Sequence, residues 1–223
     1  MTGGKLIGKI LSRYGVKHLH TLCGGHIMEI YEGCADYGVR VVDYRHEQAA
    51  VFAADAAGRV SGYIGVAAVT AGPGVMNAVT GVANAFRANS PLILIGGQAP
   101  TFFYGKGALQ EMDHISVLKP ITKWAVQVTD TKSIPEFMAR AFSAALDGLP
   151  GPVYLEVPMD IIFNPADDVE ALEIYYSRPE SSAKTANEIY EKLKESKRPV
   201  ILLGSEIAWS KYRNSVRQII DKI

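Results

Sequence analysis

The sequence predicts an α/β protein built on a doubly wound, mostly parallel six-stranded sheet with helices on both faces. Three observations carry that prediction. Segments with apolar residues at helical spacing alternate with short β-rich runs bounded by Gly and Pro. The runs from Gly65 to Thr70 and from Pro91 to Ile95 are almost wholly apolar, as strands are when helices cover both faces of a sheet. Roughly six βα repeats joined by right-handed crossovers then imply one parallel sheet.

The elements follow in order. Leu6, Ile7, Ile10 and Leu11 mark an amphipathic helix that ends near Gly15. Val16 to Leu22 reads as a strand, and Gly24-Gly25 turns into a helix carrying Ile27, Met28, Ile30 and Tyr31. Val39 to Asp43 is the second strand, followed by an alanine-rich helix from His46 to Arg59 whose small side chains allow close packing on a sheet. The strand from Gly65 to Thr70 passes through Gly72-Pro73-Gly74 into a helix from Val75 to Ala88. Pro91 to Ile95 is a buried strand stopped by Gly96-Gly97, and a polar loop from Gln98 to Asp113 interrupts the alternation. Thr122 to Val128, a helix from Ile134 to Leu146 and a strand from Pro152 to Val157 complete the sheet.

This first domain is expected to span residues 1–163. Over 164–182 the periodicity lapses, which reads as a linker. A helix from Ala183 to Glu195, an apolar strand from Pro199 to Leu203 and a last helix with Val216, Ile219 and Ile220 read as the start of a second α/β domain over 183–223. About 40 residues bury too little surface to stand as an ordinary domain, so this unit is expected to be cut short.

Composition narrows the function classes. Lys+Arg number 23 and Asp+Glu 23, a net charge of +0, without the basic excess that non-specific nucleic-acid or anionic-membrane binding needs. Two cysteines, Cys23 and Cys34, cannot form a disulfide framework and suit a reducing compartment. The N-terminus is too polar for a secretory signal, and no apolar run reaches the ~18 residues of a membrane span. The expectation is a cytoplasmic globular protein with no nucleic-acid or membrane partner.

Chemistry could reside in few places. Glu47 stands where a strand has ended and a helix begins, at the sheet edge where open α/β folds bind ligands. From position alone it reads equally as a first-turn acid complementing the helix dipole. Glycines in Gly72-Pro73-Gly74 would let backbone N–H groups approach a ligand, but no lysine and no phosphate-loop spacing accompany them, so a heterocycle-contacting surface or a plain tight turn remain open. Cys23, His18, His20, His26, His46 and His114 show no metal-ligand spacing, and no metal site is expected from this chain. There is no G-x-S-x-G elbow, and Ser90 lies at the wrong end of its strand for a nucleophile. Asp43 could hold a ribose in a dinucleotide module, although the first βα turn, Cys23 to Met28, lacks the third glycine.

Seven segments occur in register: Cys23-Gly24-Gly25-His26, Arg45-His46-Glu47-Gln48, Val69 to Gly74 with Asn77, Pro91 to Gln98, Gly107-Ala108-Leu109-Gln110-Glu111, Pro120 to Lys123, and Gly151 to Pro158. Together they resemble the N-terminal pyrimidine-binding domain of thiamine diphosphate-dependent enzymes, the acetolactate synthase large-subunit group in particular. The resemblance implies that fold over residues 2–163. It also implies that Glu47 bonds N1′ of the cofactor's aminopyrimidine, favouring the imino form that generates the C2 ylid for carboligation or lysis of a 2-oxo acid such as pyruvate. Such an acid needs an apolar, water-poor niche, and Ala49, Ala50, Val51 and Phe52 are expected to supply it. By the same resemblance Gly72, Pro73, Gly74 and Asn77 would contact the pyrimidine side, and Gly24, Gly25, His26 and Gln110 the substrate end.

Two departures bear on substrate. Leu22-Cys23 stands where acetolactate synthases carry an aromatic residue and proline, and Leu109 where they carry phenylalanine. Both look more like the branch that includes 2-hydroxyacyl-CoA lyases. No Gly-Asp-Gly segment with a following amide pair occurs, so the ligands of Mg²⁺ and the diphosphate are expected on a diphosphate-binding domain elsewhere. The resemblance further implies a homodimer or tetramer and leaves FAD binding open. A non-catalytic shortened subunit, or one half of a split enzyme, are the competing expectations.

Overall fold

The computed structural model of the chain describes residues 1–177, 182–204, 207 and 212–222. It divides into two units, Met1–Tyr176 and Ser177–Ile223.

In the first unit six strands form one wholly parallel sheet: β1 (His18–Thr21), β2 (Arg40–Asp43), β3 (Gly65–Val69), β4 (Leu92–Gln98), β5 (Trp124–Gln127) and β6 (Pro152–Pro158), in the order β2-β1-β3-β4-β6-β5. The helices are α1 (Gly3–Arg13), α2 (Met28–Asp36), α3 (Glu47–Ser61), α4 (Pro73–Arg87), α5 (His114–Leu118), α6 (Ile134–Leu146) and α7 (Met159–Phe163).

The period-two geometry of a strand sorts the core into two layers. Val66, Ala68, Ile93, Ile95, Val153 and Leu155 face one way, into a cluster shared with α1, α2 and α6. Ala67, Val69, Leu92, Leu94 and Tyr154 face the other way, against α3 and α4. Both faces of β3, β4 and β6 are therefore buried, which accounts for their mostly apolar sequences, with Gln98 and Glu156 the buried polar exceptions.

Close approach between elements is bought by missing side chains. A Cβ on Gly4 would stand 2.4 Å from Glu29 Cβ, one on Gly8 2.3 Å from the Gly33 carbonyl carbon, and one on Gly33 2.6 Å from Lys5 Cα, so α1 and α2 meet backbone to backbone. Gly96 and Gly97 serve the same end. They were expected to stop a strand, but β4 runs through both to Gln98. A Cβ on Gly96 would lie 2.5 Å from Tyr154 Oη, and one on Gly97 2.6 Å from His26 Cβ; the glycines make room for neighbours rather than a turn. The polar loop that follows leads into a short helix, α5, not foreseen in the sequence, which the loop's last residue Asp113 caps by accepting the Ser116 N–H at 3.0 Å.

Residues 164–176, expected as linker, lie on the first unit. Thr2 bridges Pro165, the Ala166 N–H bonds the Met1 carbonyl at 2.8 Å, and Ala171 and Ile174 pack on the core. Lys9, with only 6% of its side chain exposed, reaches Asp168 at 2.7 Å and Glu170 at 2.9 Å.

In the second unit α8 (Ala183–Glu195) and α9 (Arg213–Ile220) form where the apolar spacing placed helices, and neither buries a residue. The strand expected from Pro199 to Leu203 is absent: Val200 is 88% and Leu202 93% exposed. An apolar run becomes a strand only where another strand pairs with it, and none is present among the described residues of this unit.

Candidate functional site

Chain direction reverses between β1 and β3: β1 leads leftward to β2, whereas β3 leads rightward to β4. The loops leaving β1 and β3 therefore part at their carboxyl ends, and that crevice is where open α/β sheets bind ligands. Glu47, Asn77, Gly72, Gly74, Gly24, His26 and Gln110 come together there through contacts with one another and with Thr70.

Glu47 opens α3 at the end of the β2 loop and is 6% exposed. His46, expected as the first helical residue, is the N-cap instead: its Nδ1 accepts the Gln48 N–H at 3.2 Å. That cap fixes the direction in which Glu47 leaves the helix. Asn77, one turn into α4, donates from Nδ2 to Glu47 Oε2 at 2.9 Å. Oε1 lies on the side of Gly74, where an added Cβ would stand 3.5 Å from it. That side of the carboxylate is bordered by the bare Gly74 backbone and by Thr70, whose Cγ2 would stand 2.8 Å from the same added Cβ. Of the four apolar neighbours expected to form the niche, Ala50 and Val51 are wholly buried, while Ala49 and Phe52 turn outward, since 3.6-residue periodicity puts 47, 50, 51 and 54 on one face.

The rest of the crevice is a polar seam. Gly24 backs onto Thr70, with an added Cβ 2.3 Å from Thr70 Cβ. His26 is 5% exposed; its ring donates to the Leu109 carbonyl, and its Nδ1 lies 3.0 Å from Thr70 Oγ1. Burial holds the His26 pKa below the ordinary histidine value, only partly offset by the Leu109 bond. Gln110 adopts a left-handed conformation, φ +61°, uncommon for a residue with a Cβ, and its side-chain amide lies 3.5 Å from Thr70 Oγ1. It leans against Gly72, whose φ of +62° and absent Cβ are both required, as a side chain there would meet Gln110 Cβ at 2.8 Å. Pro73 takes the first helical position of α4, exposed on the crevice side of the turn, and Gly25 has nothing within 4 Å of an added Cβ. Thr70 joins three of these residues and was not singled out in the sequence; threonine after a buried strand carries no local signal.

Three other candidates are accounted for. Asp43 accepts the Cys23 N–H at 3.3 Å, a loop-closing bond. Ser90 is fully buried and bonds Asp55 at the opposite end of the sheet. Among the described residues no three His, Cys, Asp or Glu side chains gather as a metal-binding group, and no helix is long and apolar enough to cross a membrane.

A parallel, doubly wound domain with a buried carboxylate at the switch point has the layout of a ligand-binding α/β module. The family follows from comparison. Residues 1–117 match the family model for thiamine pyrophosphate enzymes, N-terminal TPP binding domain, and the chain belongs to that family. It is 49% identical over 161 residues to 2-hydroxyacyl-CoA lyase 2 of Danio rerio, covering 72% of this chain and 26% of that protein. It is 47% identical over 161 residues to 2-hydroxyacyl-CoA lyase 2 of Homo sapiens, again 72% of this chain and 26% of that protein. A probable acetolactate synthase of Mycobacterium bovis is 33% identical over 225 residues, 100% of this chain and 41% of that protein. The chain thus spans between a quarter and about two fifths of the length of these relatives.

Proposed function

We propose that this chain is the pyrimidine-holding part of a thiamine diphosphate-dependent carbon–carbon lyase or carboligase, in which Glu47 holds and exchanges a proton at N1′ of the aminopyrimidine. One observation carries the reading: Glu47 is buried at the switch point, with Asn77 on one carboxylate oxygen and the bare Gly74 backbone beside the other. When bound, the cofactor supplies an electron sink for making or breaking a bond beside a carbonyl. The chain's own part is to exclude water around Glu47, keep its carboxylate oriented through Asn77, and present His26, Thr70 and Gln110 to the substrate side.

As to substrate, cleavage of a 2-hydroxyacyl-CoA is the favoured reading. Leu22-Cys23 and Leu109 depart from the acetolactate synthase pattern, and the identity to the two 2-hydroxyacyl-CoA lyases is higher than to the synthase. Carboligation of a 2-oxo acid such as pyruvate is the second reading, supported by a similarity to the synthase that runs the whole length of this chain. Mg²⁺ and the diphosphate are proposed to be held by a complementary diphosphate-binding domain. A homodimer or tetramer, a cytoplasmic location and an optional FAD complete the proposal, resting on the resemblance and the composition; sedimentation, fractionation and flavin absorbance check them.

The test combines the 223-residue chain with a diphosphate-binding domain from a relative, thiamine diphosphate and Mg²⁺, and follows hydrogen–deuterium exchange at the cofactor's C2 by NMR. Exchange is expected with the native chain and is lost with Glu47→Gln. Equal exchange rates in the two would sink the assignment. Release of an aldehyde and formyl-CoA from a 2-hydroxyacyl-CoA, against acetolactate formation from pyruvate, then separates the two substrate readings.

A further inference from the structure

One buried group lies outside the role given to Glu47. His114, at the start of α5, is 0% exposed, and Glu156, on β6, is 3% exposed. His114 Nδ1 lies 2.6 Å from Glu156 Oε2, and the Gly72 backbone N–H points at His114 Nε2 over 2.8 Å. These two bonds settle the ring's state. A nitrogen that receives an N–H hydrogen must present its lone pair, so Nε2 is unprotonated; a nitrogen against a carboxylate oxygen must bring the hydrogen, so the proton sits on Nδ1. An imidazolium would set two N–H groups nose to nose at Gly72. The Gln98 amide nitrogen gives one of its two hydrogens to the Met112 carbonyl at 2.7 Å and stands 3.2 Å from Nδ1, farther than the 2.6 Å Glu156 oxygen that takes the ring proton. Tyr154 donates to the same Glu156 oxygen at 3.1 Å, holding the carboxylate in place.

What the ring receives from Gly72 matters for the crevice. Gly72 is the N-cap of α4 and has no side chain to cap with. At φ +62°, ψ −118° it turns its N–H away from the helix, into protein rather than water. A buried N–H needs an acceptor, and His114 is that acceptor, brought from 42 residues away. The turn so held carries one feature of each end of the crevice: Gly74 beside Glu47 on the cofactor side, and Gln110 packed against Gly72 on the substrate side.

We propose that His114, fixed by Glu156 as the Nδ1-protonated tautomer, is a positioning residue that sets the Gly72 turn and thereby places the Gly74 backbone against the thiamine pyrimidine and Gln110 at the substrate end. The role rests on the functional reading given above, while the tautomer and the Gly72 bond do not. A glutamine at 114 can put its amide oxygen where Nε2 stands; a leucine of similar size offers no acceptor.

The test uses the full chain labelled with ¹⁵N-histidine at pH 7. The expected signature is a pyridine-like Nε2 and a pyrrole-like Nδ1 for His114, with a scalar coupling across the bond to the Gly72 amide. An Nε2-protonated ring or an imidazolium overturns the proposal before any variant is made. His114→Leu is expected to lower the exchange protection of the Gly72 amide about tenfold, the worth of one buried hydrogen bond, and His114→Gln to restore it. In the assembly with a diphosphate-binding domain, C2 exchange is expected to follow the same order, native close to His114→Gln and both above His114→Leu. Equal exchange in His114→Leu and native overturns the positioning role. Absence of Glu47-dependent exchange in the native assembly overturns the functional reading and this role with it, leaving the tautomer to the spectra.

Discussion

Asn77 donates to Glu47 across 30 residues of sequence, from the first turns of α4 to the first residue of α3, at 2.9 Å. The bond ties two helix starts that leave different strands, so the carboxylate is oriented by a residue on the far side of the crevice it faces. Asn77 itself is exposed, which separates its contribution to the site from any to stability.

Asn77→Ala should therefore leave the fold intact and harm the chemistry. Losing a hydrogen bond to a carboxylate costs about 1.5–3 kcal/mol, so C2 exchange in the assembled enzyme is expected to fall by about 10- to 150-fold. The denaturation midpoint is expected to shift little. A large loss of stability with unchanged exchange would show the bond to be a strut and no part of the site.

Asp55 offers the opposite case. It is 3% exposed, receives both the Nε and Nη2 hydrogens of Arg59 at 2.9 and 2.7 Å, bonds Asn84 at 3.1 Å, and accepts from Ser90. It thus joins α3, α4 and the turn into β4, away from the crevice. Asp55→Ala leaves a buried serine hydroxyl without its acceptor and is expected to cost about 3–5 kcal/mol by urea denaturation. Arg59→Ala, at a side chain 38% exposed, is expected to cost much less.

Two histidines give the first unit an acid limb. Burial lowers the pKa of His20, with the charge of His18 adding to the effect, and burial likewise lowers that of His26. Each folded-state value lies below the ordinary 6.5, so between the two values the unfolded chain binds more protons and stability rises with pH. Their contribution is whole above pH 6.5 and is lost as the pH falls through the folded values. Urea midpoints measured from pH 7.5 to about 5 should fall, and His20→Gln should flatten part of that slope. An unchanged slope would place the acid sensitivity elsewhere.

Lys9 tests the docking of residues 164–176. Its ammonium bonds Asp168 first and Glu170 second, which raises its pKa, and it also reaches the Val169 carbonyl at 3.1 Å. Lys9→Met removes all three while filling the same space. The segment around residues 167–173 is then expected to be cut earlier in limited proteolysis, with mass spectrometry locating the cut. Identical digestion of the two proteins would assign the docking to Ala171 and Ile174 alone.

Much of this was legible beforehand. The two-sided apolar runs and the helical spacings are local signals, and they placed all six strands and the main helices. Glu47, Gly72, Gly74, Asn77, His26 and Gln110 were singled out through the resemblance their segments carry, and the structure brings them to the carboxyl ends of β1 to β3. The misses share one cause, partners distant in sequence. Gly96 and Gly97 look like a stop until Tyr154 and His26 are seen against them. Ala49 and Phe52 look like niche walls until the helix phase is fixed by the His46 cap. His114 drew notice only as one histidine among several, because the acid that orders it lies on β6 and the amide it receives belongs to a loop on the other side of β4. Run 199–203 was apolar enough for a strand, but hydrophobicity alone supplies no neighbour.

The seam between α1 and α2 reaches further than its position suggests. Three glycines there leave not even a methyl's thickness between the two rods, and the front end of the second rod carries the ring that touches Thr70. A single alanine at Gly8 would act as a shim: wedged in at the back, it would tilt α2 and shift the His26 ring against Thr70. The seating of that ring is gauged from behind, across a seam of bare backbone.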